Sequence, residues 1–252
     1  MGKSFVERAA ITPAYDHYQR RYATDPRESD KVLMALVEEV IAGRDKLTLL
    51  DIGCSTGNFL SHLAKRFPQL RLVGGDVASA SLDIARRDLP SVEFRDMNML
   101  EMGSSGEFDV IVANAVTYPF TDDEYATALG NVAHALKLGG IYLAFERVHD
   151  FGGQHLTIRE TTPAHPEGVM LYARPAGFVR DLALRSGLTE VEFRPFSIPI
   201  DLVPHTRSDG VIATHTVKLD NGERLSMRGA IYQPWCFLRA AKAHIAGAMR
   251  TA

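Results

Sequence analysis

Leu49-Leu50-Asp51-Ile52-Gly53-Cys54-Ser55-Thr56-Gly57-Asn58-Phe59 reads as an apolar strand that closes on an acid, passes through a glycine turn and enters a helix. At Gly53 and Gly57 a Cβ would obstruct a tight strand-to-helix turn or the close approach of backbone to a ligand. Outward from this stretch, short apolar runs alternate with amphipathic ones, the pattern of a parallel sheet with helices on its faces. The strands expected are Leu47–Asp51, Arg71–Gly75, Val92–Arg95, Phe108–Ala113, Ile141–Phe145, Val191–Phe196 and Ala230–Ala240, each rich in Val, Ile, Leu or Phe. The helices expected are Asn58–Arg66, Ala80–Asp88, Asp122–Lys137 and Pro175–Ser186. Gly139, Gly140 and Gly187 serve as stop signals for the last two.

Two stretches break the alternation. Arg147–Arg174 is rich in Gly, His, Thr and Pro, and Ser197–Asp209 sets prolines and histidines beside charges. Long insertions in a compact domain are often functional. Between Val217 and Met227 an Asn221-Gly222 turn signal predicts a β-hairpin. Before the first strand, Tyr15, Tyr18 and Tyr22 recur at three- and four-residue spacing on an expected helix.

The chain has 252 residues, 46% hydrophobic and 23% charged, an ordinary globular composition. Twenty-eight basic and 31 acidic residues leave a net charge of −3, without the positive field that a nucleic acid would require. Cys54 and Cys236 are far apart and match no zinc or redox spacing, which suits a reducing cytoplasm. No apolar run approaches the roughly 18 residues of a membrane span, and Glu7 and Arg8 stand where a signal peptide would be apolar. Val6 stands where a myristoylation signal needs Ser or Thr. A cytoplasmic protein acting on a small molecule is expected, with no nucleic acid, no membrane and room for a homodimer.

The opening stretch resembles the first motif of the class I S-adenosylmethionine-dependent methyltransferases, with Ser55 where that family usually has another glycine. Asp76 ends the second strand nineteen residues after Gly57, about where an acid accepts hydrogen bonds from ribose hydroxyls. Phe94-Arg95-Asp96-Met97-Asn98-Met99 looks like the family segment whose acid and apolar neighbour flank adenine. Phe108-Asp109-Val110-Ile111-Val112-Ala113-Asn114-Ala115 is similar to its fourth strand, with Asn114 entering the cofactor cleft. The four segments keep the family's order and spacing across residues 47–146. The resemblance implies a Rossmann-like, doubly wound, mostly parallel sheet of seven strands in a single domain over residues 1–252. In that domain 1–46 is an N-terminal helical cover, 47–146 the cofactor-binding half, and 147–252 a substrate-side half with the late hairpin insertion. It implies S-adenosylmethionine as cofactor, held by Asp51, Gly53, Cys54, Ser55, Gly57, Asp76, Val77, Asp96, Met97, Asn114, Ala115 and Tyr15.

Other chemistries fare worse. A nicotinamide enzyme would want Gly-x-Gly-x-x-Gly, and from Gly53 the other two positions are Ser55 and Asn58. His149, His155 and His165 lack zinc spacing, and Asp122–Asp123 reads as charge favoured at a helix start rather than a magnesium site. The family draws its substrate groups from the loops after strands four and five, from late insertions and from the N-terminal segment. Here those are Tyr118, His155, Tyr22 and His215. His149 is the candidate general base, and Glu146 a second catalytic candidate that could instead pair with Arg147. O-methylation of a hydroxylated metabolite or sugar is expected. Still open are an amine acceptor, an aminopropyl transfer, or a non-catalytic domain that binds the cofactor as a sensor or partner subunit.

Overall fold

The fold is described from a computed structural model, which covers residues 22–150, 154–162, 165–199, 214–219, 221–228, 231–232 and 234–243. In chain order the elements are α1 (Glu28–Ile41), β1 (Thr48–Ile52), α2 (Asn58–Arg66), β2 (Arg71–Asp76), α3 (Ser79–Asp88), β3 (Glu93–Asp96), β4 (Phe108–Asn114), α4 (Asp122–Ala135) and β5 (Leu136–Glu146). There follow β6 (Val148–His149), β7 (Leu156–Thr162), β8 (His165–Pro175), α5 (Ala176–Arg185), β9 (Leu188–Phe196), β10 (Thr214–Lys218), β11 (Arg224–Arg228), β12 (Ile231–Tyr232) and β13 (Trp235–Lys242).

Seven strands form the central sheet in the order β3-β2-β1-β4-β5-β13-β9. Its pairs from β3 to β5 are parallel, and β13 runs antiparallel to both β5 and β9. Alternation along each strand builds two cores. Leu50, Ile52, Ile111, Ala113, Tyr142 and Leu238 face α4 and α5, meeting Tyr125, Leu129, Val179 and Leu182. Leu49, Val110, Val112, Leu143, Phe145 and Phe237 face α1, α2 and α3, meeting Leu33, Val37, Leu60, Leu63 and Leu82. The expected doubly wound α/β architecture is therefore present, and α1 is one of its packing layers.

Several boundaries differ from expectation. Helix α4 ends at Ala135 rather than Lys137, because Leu136 already pairs with Phe108 as the start of β5. Gly139 at φ +71° then serves an irregularity in β5, where Val110 next pairs with Ile141, and does not cap the helix. The expected strand Ala230–Ala240 is split: β12 joins the small sheet β10-β11-β12, and β13 enters the main sheet after Pro234, which lacks a ladder N–H. The insertion after β5 is not an irregular loop but the hairpin β7–β8, in a three-stranded sheet with β6. The hairpin expected around Asn221-Gly222 is β10–β11, in register from Thr214↔Arg228 to Lys218↔Arg224. Among the described residues, no helix is long and apolar enough to cross a membrane.

Candidate active site

The strand order reverses between β1 and β4, and at such a switch point the carboxyl ends of the strands leave a crevice. The turn after β1 occupies it. Gly53 (φ +76°), Ser55 (φ +50°) and Gly57 (φ +79°) are all left-handed, and Ala115 at the end of β4 joins them at φ +58°. Ser55 thus adopts the backbone a glycine would take, so its presence is a tolerated strain rather than a change of loop. Four such residues at one point mark a backbone held in place by its surroundings.

Asp76 fastens the turn. Its Oδ2 accepts from Ser55 N at 2.7 Å and its Oδ1 from Ala78 N at 2.8 Å, while Gly75 O accepts from both Gly53 N and Cys54 N at 2.7 and 3.1 Å. Burial raises the Asp76 carboxyl above its usual range, opposed by donation from Ala78, Ser55 and Val77. Asp51 is more extreme, at 2% exposure. Its Oδ1 is buried without a donor, and so is the Ser55 hydroxyl oxygen. Burial, then Asp30, then Asp76 push the Asp51 carboxyl well up. Asp30, fully buried in the first turn of α1, accepts from Asn114 Nδ2 at 2.8 Å and from Arg27 N at 3.1 Å. Asp30 was not found from sequence, because an acid in a first helical turn carries no other signal. Cys54 is buried, which raises its thiol far above the ordinary range. Met97 packs mainly into the core and donates its N–H to Asp76 O at 2.9 Å, and Asp96 is exposed beside Ser79 Oγ at 3.4 Å.

A second group gathers past β4 and β5. Glu146 accepts from the Tyr125 hydroxyl and, at 3.1 Å, from the Tyr142 hydroxyl, with Thr117 a further donor. Burial raises its carboxyl, which these donors and Arg174 oppose. The pairing of Glu146 with Arg147 is absent because consecutive residues leave a strand on opposite faces. Arg147 lies instead with its guanidinium carbon 5.2 Å from the ring centres of both Tyr118 and Trp235. Trp235 stacks on Phe145 at 4.5 Å and lines a 520 Å³ cavity with His149, Arg180, Phe196, Arg224 and Ser226. His149 is 3% exposed, burial lowers its pKa, and a hydrogen bond to the Gln154 backbone partly offsets this.

His155 is more peripheral, 3.5 Å from Asp122 Oδ2 and edge-on to Phe178. Tyr22 stacks under Arg27 at 4.3 Å, and its carbonyl meets His62 Nε2 at 2.9 Å. Tyr15, Tyr18 and residues 204–213 lie outside the described residues, and of His215 the description gives only its place on β10, opposite Met227. Among the described residues no group of three or more His, Cys, Asp or Glu could hold a metal ion.

Residues 49–140 match the family model described as a methyltransferase domain. Trans-aconitate 2-methyltransferase of Azoarcus sp. (strain BH72) is 35% identical over 118 residues, 46% of this chain and 46% of that one. The malonyl-[acyl-carrier protein] O-methyltransferase of Acetivibrio thermocellus is 27% identical over 55% of this chain and 46% of its own. The chain thus spans about half the length of the curated relatives it matches. Among solved structures, 1,6-didemethyltoxoflavin-N1-methyltransferase of Burkholderia thailandensis, with bound 1,6-didemethyltoxoflavin and S-adenosylhomocysteine, aligns over 95% of this chain and 88% of that one. The TM-score is 0.60 at 15% identity, a likeness of fold. Residues 49–140 thus match a methyltransferase domain, and the glycine turn, the strand-end acids and the 3-2-1-4-5 order of parallel strands agree with the Rossmann-like fold of these methyltransferases.

Proposed function

We propose that this protein methylates an oxygen atom of a small molecule, with the cofactor lying across the ends of β1, β2 and β4. The observation that carries the reading is the buried Asp51 carboxylate, whose Oδ1 lacks a donor, set among Asp30 and Asp76. Such a cluster favours a cation with N–H groups to donate, and S-adenosylmethionine has both an ammonium and a sulfonium. Bound there, the cofactor supplies a methyl group already activated by positive sulfur.

In this reading Asp51 and Ser55 take the donors that they lack, and Asp76, kept in place by its backbone bonds, turns its remaining lone pairs to the ribose hydroxyls. Val77, Asp96 and Met97 flank the base. Gly53, Cys54, Gly57, Asn114 and Ala115 shape the wall, and Tyr15 is a further residue proposed to bind the cofactor. The main task left to the protein is alignment of the acceptor, worth about 7–11 kcal/mol in well-oriented reactions. Tyr118, Tyr22, His155 and His215 are the residues proposed to hold the acceptor.

His149 suits the role of base toward a hydroxyl acceptor, because burial lowers its pKa and so favours the neutral imidazole. Glu146 is already engaged by two tyrosines, and its role is to hold the end of β5. Support for oxygen comes from the relative named as an O-methyltransferase.

The test has two parts. Calorimetry should show S-adenosylhomocysteine binding with one-to-one stoichiometry, and binding of a dinucleotide in its place would refute the reading. Incubation with a metabolite extract and a donor carrying a labelled methyl should yield a labelled oxygen-linked product. His149→Ala should then lower the single-turnover rate roughly 10²- to 10⁴-fold while cofactor affinity holds. A labelled amine as the product would refute the oxygen assignment.

A further inference from the structure

Arg147 is 5% exposed, and its Nε and Nη1 are buried without a hydrogen-bond acceptor. A guanidinium has no neutral form to retreat to near pH 7; burial pulls this one down only to about 10. Buried cations are ordinarily paired, since an unpaired one forfeits its hydration without compensation. Among the described residues, the acids around Arg147 are committed elsewhere. Glu146 faces the other side of the strand and is engaged by Tyr125 and Tyr142. Glu160 accepts from Arg228 Nε at 2.6 Å and Nη2 at 2.5 Å.

The position of Arg147 is fixed. Its backbone carbonyl accepts from Arg174 N at 3.0 Å, and the guanidinium lies near the rings of Tyr118 and Trp235. Tyr118 stands four residues beyond Asn114 at the end of β4, and Trp235 lines the cavity shared with His149. The charge is therefore on the acceptor side of the cleft, away from the acids at the ends of β1 and β2. Resting on the methyltransferase reading above, we propose that Arg147 is a specificity residue that binds a carboxylate of the methyl acceptor, so that the substrate is a small organic acid.

The guanidinium fork matches a planar carboxylate with two parallel N–H donors. One uncompensated positive charge between aromatic walls suits a monoanionic group. The cleft then has two electrostatic halves, acidic for the cationic cofactor and basic for an anionic acceptor.

The test uses the full chain saturated with S-adenosylhomocysteine. Acids with one, two and three carboxylates are titrated beside their neutral amides, and binding is read by calorimetry and thermal unfolding. Acids should bind and raise the unfolding temperature, and the amides should not. Arg147→Met should leave the unfolding temperature of the ligand-free protein level or higher, because it removes an unpaired buried charge. It should keep S-adenosylhomocysteine affinity and lower acid affinity about 10- to 100-fold. Arg147→Lys, with the charge but not the fork, should fall between.

Amides that bind as well as acids would overturn the proposal, and so would an Arg147→Met protein that keeps the acid affinity. An unfolding temperature that drops sharply in both variants, with no acid binding to the wild type, would mean that Arg147 is structural. Failure of S-adenosylhomocysteine to bind at all would instead count against the methyltransferase reading.

Discussion

Asp51 stores a conflict that a single atom exchange resolves. Asp51→Asn keeps the shape, removes a charge that burial and two neighbouring acids disfavour, and supplies donors of its own. The ligand-free variant should be more stable by about 1–3 kcal/mol in urea unfolding, while S-adenosylhomocysteine affinity falls about tenfold or more by calorimetry. Equal stability and equal affinity would show that the carboxylate does nothing for the cofactor. The left-handed turn at Gly53 and Gly57 could be read from sequence because it spans a few residues and depends on local backbone, and the strand-end positions of Asp51 and Asp76 from the apolar runs that precede them. Arg147 and Asp30 could not. One was read as a partner for Glu146 and the other gave no signal, since what decides each is burial and what lies across the fold.

At the level of elements, the core strands β1 to β5 and β9 were readable from their apolar runs and the hairpin β10–β11 from its Asn221-Gly222 turn, whereas the hairpin β7–β8 was not. Polar, glycine-rich stretches carry no period strong enough to announce a hairpin. Yet β8 is held firmly: Arg174 donates from Nε to Asp122 Oδ1 at 2.8 Å and from Nη2 to Phe120 O at 2.5 Å. The hairpin β7–β8 is joined to β11 by the Arg228–Glu160 pair, which ties together two insertions far apart in sequence. Both side chains are partly exposed, so their coupling should be modest, about 0.5–1 kcal/mol. A double-mutant cycle with Glu160→Gln and Arg228→Gln, read by urea unfolding, measures it; strictly additive changes would mean that the two insertions move independently.

For the whole molecule, Asp51, Asp76 and Glu146 share one direction: burial raises each carboxyl. The folded protein therefore holds their protons more tightly than the unfolded chain. Their contribution to stability is full below the ordinary carboxylate value near 4 and is lost as pH rises through the raised folded values. Glu93 and Glu107, lowered by Arg95, act oppositely, but their exposure to solvent screens them. Urea midpoints of the ligand-free protein should decline as pH rises above 4 through that window. The decline should be shallower with S-adenosylmethionine, whose positive charge favours the ionised acids. A midpoint that rises steadily with pH would contradict the assignment. Finally, β13 follows every other described strand in the chain yet lies inside the sheet, with β5 on one side and β9 on the other. During synthesis β5 must leave the ribosome and wait with an open edge, and β9 has no neighbour in the sheet, until residues 235–242 emerge. The nascent protein is consequently exposed to edge-to-edge aggregation while residues 147–234 are being made, and chaperone protection matters most just before that strand is delivered.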